Sequence, residues 1–295
     1  MKKPLLVIVN PAAGKGAYKK KFAEVLEIFS DADYSPSLFF TSGRGDAVSL
    51  AAEYGEGFET LVCIGGDGTL SEVVSGLMRI ENRPTVGYIP LGTANDVARS
   101  LGLPKHDPTA AARRIVSGEA MPFDVGKRSG GYFNYVAAFG AFTEVSYGTP
   151  QDIKRRLGQA AYVIGAAKSL RSLRSRRVRV KYDGGSFEGD YLYGSVSNSY
   201  SVAGMIDLPK DKVSLGDGEH ELIMLKKPKN AAALAHLAAR VLQGDLESEY
   251  IEILHTKHAV FEFDAPEAFT FDGEDGGAHE RIEFSNCPQA VRIIH

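Results

Sequence analysis

The stretch TLVCIGGDGTLSEVVSGL, residues 60–77, decides the fold. It begins as an apolar run typical of a buried strand, and from Leu70 onward its apolar residues recur at helical spacing. Three glycines and Asp67 lie between the two parts. A strand that passes through a glycine loop into a helix presents backbone N–H groups suited to phosphate. Asp67 then needs an explanation, because a carboxylate repels phosphate.

The same alternation of strand and helix extends from residue 5 to about residue 118. The strand-like runs are LLVIVN, SPSLFFT, TLVCIGG and TVGYIP, and helical patterns cover residues 17–30, 45–54, 69–80, 94–101 and 108–117. This pattern predicts a parallel sheet with helices on its faces. Ligands of such sheets bind outside the carboxyl ends of the strands, so we expect the site in the loops that follow them.

The pattern changes after MPFDVGKRSG, residues 121–130. Short runs rich in Tyr, Phe and Val follow, separated by glycine pairs and Asp-Gly, with two helical segments near residues 152–174 and 228–243. The short runs predict antiparallel strands and hairpin turns. We therefore expect a boundary near residue 125, with an α/β domain over residues 1–124 and a β-rich domain over residues 125–286.

Composition excludes several classes of protein. A chain of 295 residues that is 44% hydrophobic can bury a large core in one or two domains. Its net charge of -3 disfavours a nucleic-acid partner. The two cysteines lack metal-ligand spacing and fit a reducing compartment. Apolar runs are too short for a signal peptide or a membrane span, so we expect a cytoplasmic protein.

Three loops carry the chemistry: NPAAGKG at residues 10–16, the glycine loop around Asp67, and PLGTANDVAR at residues 90–99. Each joins a predicted strand to a predicted helix, and each alone also fits a tight turn. In the second loop Thr69 and Ser71 can cap the helix, and Asp67 itself fits a helix N-terminus.

Acidic residues recur in these loops. Asp96 joins Asp67, although Asn95 or Asp96 also fits the N-cap of the next helix. Three such loops from adjacent strands together indicate a phosphate site in which a divalent cation neutralises the charge. Mg²⁺ prefers one or two carboxylates together with phosphate oxygens and water.

The motifs NPAAGKG, GGDGTLSEVVSGL and PLGTANDVARSLGLP, in this order, resemble the catalytic domain of the diacylglycerol kinase and sphingosine kinase superfamily. Soluble bacterial lipid kinases of the diacylglycerol kinase type are similar to the chain over its whole length. The resemblance implies a Rossmann-like α/β domain, a β-sandwich-like domain and an ATP cleft between them. It also implies that the last strand, residues 287–295, returns to the first domain.

The resemblance also implies which residues bind the nucleotide. They lie in the three loops, at the end of the second strand and at the start of the helix after the glycine loop. They are Asn10, Pro11, Ala12, Ala13, Gly14, Thr41, Gly65, Gly66, Asp67, Gly68, Thr69, Leu70, Ser71, Glu72, Thr93 and Asn95. We assign Asp67 and Asp96 to the catalytic set, with Mg²⁺.

A late motif, FDGE at residues 271–274, resembles the family motif whose Glu is the proposed general base. This implies that Glu274 accepts the proton of the acceptor hydroxyl. An ordinary acid in a glycine-rich turn is the alternative interpretation.

A second late motif, SLGDGE at residues 214–219, resembles a structural Mg²⁺ loop of bacterial members. It implies the Asp217 side chain and the carbonyls of Ser214 and Glu219 as ligands. Family members often carry an apolar or aromatic residue in place of Glu219, and an Asp-Gly hairpin turn is the alternative.

Residues 153–182 hold ten Lys and Arg and no acid around an apolar helical stretch. A basic helix with an apolar face can lie on anionic headgroups. The alternative is a helix packed on the second domain with a solvated basic face.

The leading interpretation is an ATP-dependent lipid kinase of lipid metabolism and phospholipid biosynthesis, with diacylglycerol or a related lipid as acceptor. A sphingoid-base kinase, an NAD kinase-like enzyme and a nucleotide-binding regulator without turnover remain alternatives. The expected partner is a lipid at the inner membrane surface, with peripheral membrane contact and a homodimer as further expectations.

Overall fold

The computed structural model describes residues 2–105, 107–140, 174–202, 206–208, 213–242 and 245–295. The strands of the first half are β1 (Lys3–Val9), β2 (Tyr34–Phe40), β3 (Thr60–Gly65), β4 (Thr85–Pro90), β5 (Ala120–Arg128), β6 (Gly131–Phe133) and β7 (Val136–Gly140). Those of the second half are β8 (Arg176–Tyr182), β9 (Gly185–Ser197), β10 (Ser201–Val202), β11 (Ile206–Asp207), β12 (His220–Lys226), β13 (Ile251–Thr256), β14 (His258–Phe271) and β15 (Glu274–Ile294).

The helices follow the strands of the first half and interrupt those of the second. They are α1 (Phe22–Asp31), α2 (Asp46–Tyr54), α3 (Asp67–Leu77), α4 (Asp96–Ser100), α5 (Pro108–Ser117) and α6 (Ala231–Leu242). Short 3-10 helices cover Ala13–Lys20 and Gly55–Gly57. The helix predicted over residues 17–30 is therefore a 3-10 helix followed by α1, and the one predicted near residues 152–174 lies almost wholly outside the described residues.

The first half forms the predicted parallel sheet. Strand order is β2, β1, β3, β4, and each neighbouring pair is parallel. Alternate residues of β1 face opposite sides: Leu6 and Ile8 pack with α2 and α3, whereas Leu5 and Val7 pack with α1 and α5. Since helices cover both faces of the sheet, every residue from Leu5 to Val9 is apolar and buried.

The second half curls around a core rich in phenylalanine. Residues 185–191 of β9 pair with β8 and residues 193–197 pair with β7, and β14 divides between the same two strands. The four strands therefore close into a ring around buried side chains that include Phe139, Phe261 and Phe269. This closure gives the β-sandwich-like character that the resemblance implied.

Strand β15 joins the two halves. Its first part pairs with β14, its middle and last parts pair with β5, and Ile293 pairs in parallel with Val86 of β4. The last strand therefore does return to the parallel sheet. The exact limits of the two domains stay a prediction.

Strands β5 and β13 were missed by the sequence interpretation. The sequence places a domain boundary at MPFDVGKRSG, because its Pro, Asp and Gly obscure the alternation of a strand. In the structure the run continues the sheet as β5, with Asp124 buried. Among the described helices, none combines the length and apolar character needed to cross a bilayer.

Gly76 fixes the approach of α2 to α3. A Cβ at this position would lie 2.3 Å from the Val48 carbonyl oxygen and 2.8 Å from Ala51 Cβ. We expect Gly76→Ala to lower the free energy of unfolding by about 1–2 kcal/mol, because overpacking outweighs the gain in helix propensity. Urea unfolding measures this. Gly57→Ala is the control, since a Cβ there meets nothing within 4 Å; equal effects of the two variants would refute the packing argument.

Candidate functional site

The three predicted loops meet at the carboxyl edge of the parallel sheet. Asn10, directly after β1, donates from Nδ2 to Thr69 Oγ1 at 2.9 Å and accepts at Oδ1 from the Ala12 amide at 3.0 Å. The first loop is thereby tied to the second. The Leu91 amide donates to the Gly65 carbonyl at 2.7 Å and ties the third loop to the second.

The glycines of the loops are required by close packing. A Cβ on Gly65 would lie 2.6 Å from Thr69 Oγ1, and one on Gly66 would lie 3.2 Å from Gly92 Cα. A Cβ on Gly68 would lie 2.9 Å from Glu274 Oε1. Thr69 and the Gly92 backbone therefore account for Gly65 and Gly66, whereas the neighbour of Gly68 is the end of an exposed side chain that can shift.

Asp67 caps a helix, but not its own. Its Oδ2 accepts from the Asp96 amide at 3.2 Å and its Oδ1 from the Val97 amide at 3.4 Å, at the start of α4. Asn95 occupies the N-cap position of α4 without capping it, and its side chain instead donates to the Gly92 carbonyl at 2.7 Å. The expected side-chain cap by Asn95 or Asp96 is therefore wrong, because the Asp67 carboxylate takes the amides.

The expected caps of α3 are also wrong. Its N-cap residue is Gly66, which has no side chain to accept a hydrogen bond. Thr69 is engaged by Asn10, and Ser71 Oγ donates to Asp272 Oδ2 at 2.8 Å. The N-terminal amides of α3 thus remain available at the cleft, which favours an anion there.

Carboxylates crowd around Asp67. Burial raises the pKa of Asp67 to about 6, and repulsion from Asp96 adds to the rise, opposed by the α4 amides. Burial also raises the pKa of the Tyr135 hydroxyl well above its ordinary value, with Asp272, Asp67, Asp96 and Glu274 contributing. The site therefore concentrates negative charge that a cation would neutralise.

Glu274 reaches this site from the end of the chain. Asp272 and Gly273, with φ values of 50° and 80°, form the two-residue turn between β14 and β15. This is the hairpin chemistry of an Asp-Gly pair, so the turn interpretation holds locally. The turn also brings Glu274 against Gly68, where Arg44 Nη2 donates to Glu274 Oε2 at 2.6 Å.

Asp272 fixes that turn. Its Oδ2 accepts from the Asn134 amide at 2.8 Å, and its Oδ1 accepts from the Tyr135 and Val136 amides at 3.0 and 3.2 Å. The Ser71 hydroxyl adds a fourth bond from α3. Burial raises the pKa of Asp272, and these amides oppose the rise.

Two adjoining clefts open at this junction. The first, about 550 Å³, contains most of the predicted nucleotide residues, and the second, about 500 Å³, lies beside it. Both are lined by Arg44, Gly68, Glu72 and Glu274. Glu274 therefore stands between two spaces, each large enough for part of a small-molecule ligand.

The structure places the predicted residues in three groups. Those that line the first cleft are Asn10, Pro11, Ala12, Ala13, Thr41, Gly66, Gly68, Thr69, Glu72 and Glu274. Ser71 lines the second cleft. Those outside the linings of both are Gly14, Gly65, Asp67, Leu70, Thr93, Asn95 and Asp96. In the third group the Leu70 side chain belongs to the core, so only its backbone is available to a ligand.

Sequence reasoning missed Arg44, Asp272 and Tyr135. Arg44 stands in a glycine-rich loop, where a cation beside predicted phosphate loops was a usable signal. Asp272 lies within the FDGE motif, but only its glutamate was singled out. Nothing in the sequence marks Tyr135, because its neighbours come from four distant segments.

The oxygen donors around Asp67 suit Mg²⁺ in kind. Carboxylate oxygens are the ligands of hard cations, and repulsion from Asp96 contributes to the raised pKa of Asp67. Among the residues that the structure describes, no three His, Cys, Asp or Glu converge as a ready metal centre. A cation here would therefore depend on oxygens from its ligand and from water.

The loop at residues 214–219 shows the turn expected of Asp-Gly. Asp217 Oδ1 accepts from the Glu219 amide at 3.0 Å, and the Gly218 amide donates to Asp124 Oδ2 at 2.7 Å. One carboxylate and the carbonyls of Ser214 and Glu219 are hard donors, but they are fewer than the six that Mg²⁺ takes. The metal at this loop stays a prediction. Of the basic segment, residues 153–173 lie outside the described part of the chain.

Comparison with known proteins gives a consistent result. A family model for the diacylglycerol kinase catalytic domain matches residues 4–128. A model for the YegS C-terminal NAD kinase beta sandwich-like domain matches residues 139–295.

Relatives of known name cover nearly the whole chain. A diacylglycerol kinase of Bacillus subtilis (strain 168) is 39% identical over 291 residues, with 98% of this chain and 95% of the relative covered. One of Staphylococcus aureus (strain NCTC 8325 / PS 47) is 35% identical over 289 residues, with 94% and 88% covered. A diacylglycerol kinase crystal structure from Bacillus anthracis matches the fold with a TM-score of 0.78 at 24% identity, covering 100% of this chain and 97% of that one.

Removing the Asp272 carboxylate should loosen the turn that carries Glu274. We expect Asp272→Ala to lower the free energy of unfolding by about 3 kcal/mol, because three buried amides lose their acceptor. Asp272→Asn, which keeps one acceptor oxygen, should have a smaller effect. Denaturant unfolding measures both. Asp190→Ala, at an exposed carboxylate, is the control; a loss no larger than the control's would contradict this role.

The raised pKa of Asp67 predicts a pH dependence of stability. Its folded value of about 6 exceeds the ordinary 3.8, so the folded protein holds the proton more tightly. That contribution is present below pH 4 and is lost as the pH rises through 6, by about 3 kcal/mol at most. Relative to Asp67→Asn, the parent should lose stability between pH 4 and 7 in unfolding titrations. If the difference in stability between the parent and Asp67→Asn did not change with pH, the pKa of Asp67 would not be raised.

Proposed function

Because the chain belongs to the diacylglycerol kinase family of lipid kinases, we propose that it transfers the γ-phosphoryl group of ATP to a hydroxyl of diacylglycerol or a related lipid. One observation carries the proposal. Glu274 reaches across the fold to Gly68 of the glycine loop and stands between the two clefts. A carboxylate at such a junction can contact an acceptor in one cleft and a nucleotide in the other.

The first cleft is the proposed nucleotide site. Its walls are the loop at residues 10–13, Thr41, and the glycine loop, where the α3 amides lack a side-chain cap. Backbone N–H groups at a helix start suit the phosphates. Asp67 and Asp96 organise the third loop and, in the proposal, carry Mg²⁺ with the phosphates. When bound, the cation would neutralise charge on the transferring group.

The second cleft is the proposed acceptor side. The acceptor hydroxyl oxygen forms a bond to the γ-phosphorus while the bond from that phosphorus to the β–γ bridging oxygen breaks and ADP leaves. Glu274 accepts the hydroxyl proton as general base. In phosphoryl transfer the protein mainly positions the reactants and stabilises the charge on the transferring group. In the proposal the loops and Glu274 do this.

The alternatives differ in acceptor. A sphingoid-base acceptor remains open, because acceptor choice depends on an apolar surface that no short motif encodes. An NAD kinase-like reaction shares the glycine loop, and the second family model carries NAD kinase in its description. The match to the diacylglycerol kinase catalytic domain supports a lipid acceptor over NAD, and an enzyme over a regulator without turnover.

Location and assembly stay part of the proposal. A lipid acceptor requires contact with the inner membrane surface, and two free cysteines suit the reducing cytoplasm. The structural Mg²⁺ at Ser214, Asp217 and Glu219 and the homodimer also remain proposals.

A lipid panel tests the function. The purified protein, Mg²⁺ and ATP are incubated with mixed micelles of diacylglycerol, monoacylglycerol, phosphatidylglycerol or sphingosine, with NAD as a separate acceptor, and products are read by mass spectrometry. We expect phosphorylated diacylglycerol. Turnover of NAD alone, or of no acceptor despite ATP binding, would overturn the proposal.

Two variants test the assigned roles in the same assay. We expect Glu274→Gln to lower kcat by about 100-fold with no loss of nucleotide affinity, because the base is lost and the nucleotide contacts remain. Asp67→Ala should abolish turnover, because α4 loses its cap and the proposed cation loses one of its carboxylate ligands. Glu188→Gln, at an exposed ion pair, is the control. If Glu274→Gln were as active as the parent, another group must take the proton.

A further inference from the structure

Arg44 lies at the one place where both clefts meet the general base. It follows Thr41 at the end of β2 and precedes α2, and it lines both clefts. Among the side chains described at the nucleotide cleft, it is the only cationic one, and it faces Glu72 and Glu274. A triphosphate entering this cleft would meet two carboxylates and one guanidinium.

The loop that presents Arg44 is fixed on both sides. Asp46 Oδ2 accepts from the Ser42 amide at 2.7 Å, from the Ser42 hydroxyl at 2.6 Å and from the Gly43 amide at 3.0 Å. The Gly45 amide donates to Glu72 Oε1 at 2.9 Å. The backbone of Arg44 is therefore anchored to α2 and α3, and movement is left to the side chain.

The side chain itself is weakly held. Its Nη2 contacts Glu274 Oε2 at 2.6 Å, yet the side chains of Arg44 and Glu274 are 79% and 51% exposed. Exposed ion pairs contribute little to stability, so exchange of partners costs little. A phosphate offers a guanidinium a bidentate, more highly charged partner than one carboxylate.

We propose that Arg44 is a γ-phosphate-binding residue that leaves Glu274 when the triphosphate binds. This inference rests on the proposed function and adds a regulatory step to it. While paired, one of the two Glu274 carboxylate oxygens accepts from Arg44, which leaves only the other for an acceptor hydroxyl. Transfer of the guanidinium to the γ-phosphate frees the base and neutralises the group to be transferred. Base release is thereby linked to the presence of the triphosphate.

Nucleotide selectivity distinguishes this role from a structural clamp. Binding of ADP and of a non-hydrolysable ATP analogue is measured by calorimetry with the parent, Arg44→Met and Arg44→Lys, without lipid. We expect Arg44→Met to weaken the analogue by about 10-fold or more and to leave ADP nearly unchanged, because only the γ-phosphate contact is lost. Arg44→Lys should recover part of the loss. kcat for lipid phosphorylation should fall by about 100-fold in Arg44→Met.

Glu274→Gln provides a second readout. Removing the competing carboxylate should tighten the analogue severalfold without changing ADP, and Arg44→Met in that background should still lose analogue affinity. Arg177→Met is the matched control, since Arg177 forms an exposed ion pair with Glu188 at 2.7 Å. Melting temperatures report whether each variant is folded.

The outcomes separate the two proposals. A parent that phosphorylates lipid, with equal losses of ADP and analogue affinity in Arg44→Met, would overturn this inference and leave the function intact. A parent that binds neither nucleotide would overturn both.

Discussion

The structure depends on one buried carboxylate that ties the turn between β14 and β15 to α3 and to the start of β7. Asp272 accepts three backbone amides from residues 134–136 and a hydroxyl from Ser71 of α3. Losing a charged acceptor from buried amides costs more than an average hydrogen bond, so this contact holds the turn in one place. The turn carries Glu274, and its position against Gly68 follows directly. The position of Glu274, the proposed base, thus depends on Asp272, two residues earlier.

Close approach of backbones explains the loops better than phosphate binding alone. Gly66 and Gly92 lie in contact, and Gly65 lies under Thr69, so the three loops form one packed unit before any ligand is considered. Asp67 completes the unit by capping α4. Its burial has an electrostatic cost that appears as a raised pKa, in the presence of Asp96. The glycine loop therefore serves packing and binding together, because the same exposed amides and short distances suit both.

The sequence predicted those parts of the molecule that depend on local patterns. The strands from β1 to β4 and their assembly into a parallel sheet followed from the apolar runs that alternate with helical patterns. The family resemblance pointed to Glu274, whose role stays a prediction. Contacts between residues far apart in the sequence could not be predicted. Asp67 caps a helix 29 residues away, and Asp272 accepts from amides more than 130 residues away. Strand β5 escaped for a related reason. Its buried Asp124 accepts from the Gly218 and Gln289 amides, and such an acid looks like a loop residue until its partners are known.

Negative charge is concentrated at one place in the site. Four carboxylates raise the pKa of the Tyr135 hydroxyl by their charge; they belong to Asp67, Asp96, Asp272 and Glu274. Such a site repels a nucleotide unless cations accompany it, so binding and charge compensation must occur together. Among the described side chains that line the first cleft, Arg44 is the one cation, and it is already paired with Glu274, the proposed general base. In the proposed mechanism Arg44 keeps Glu274 engaged until the triphosphate offers the guanidinium a stronger partner, and this exchange needs movement of side chains only.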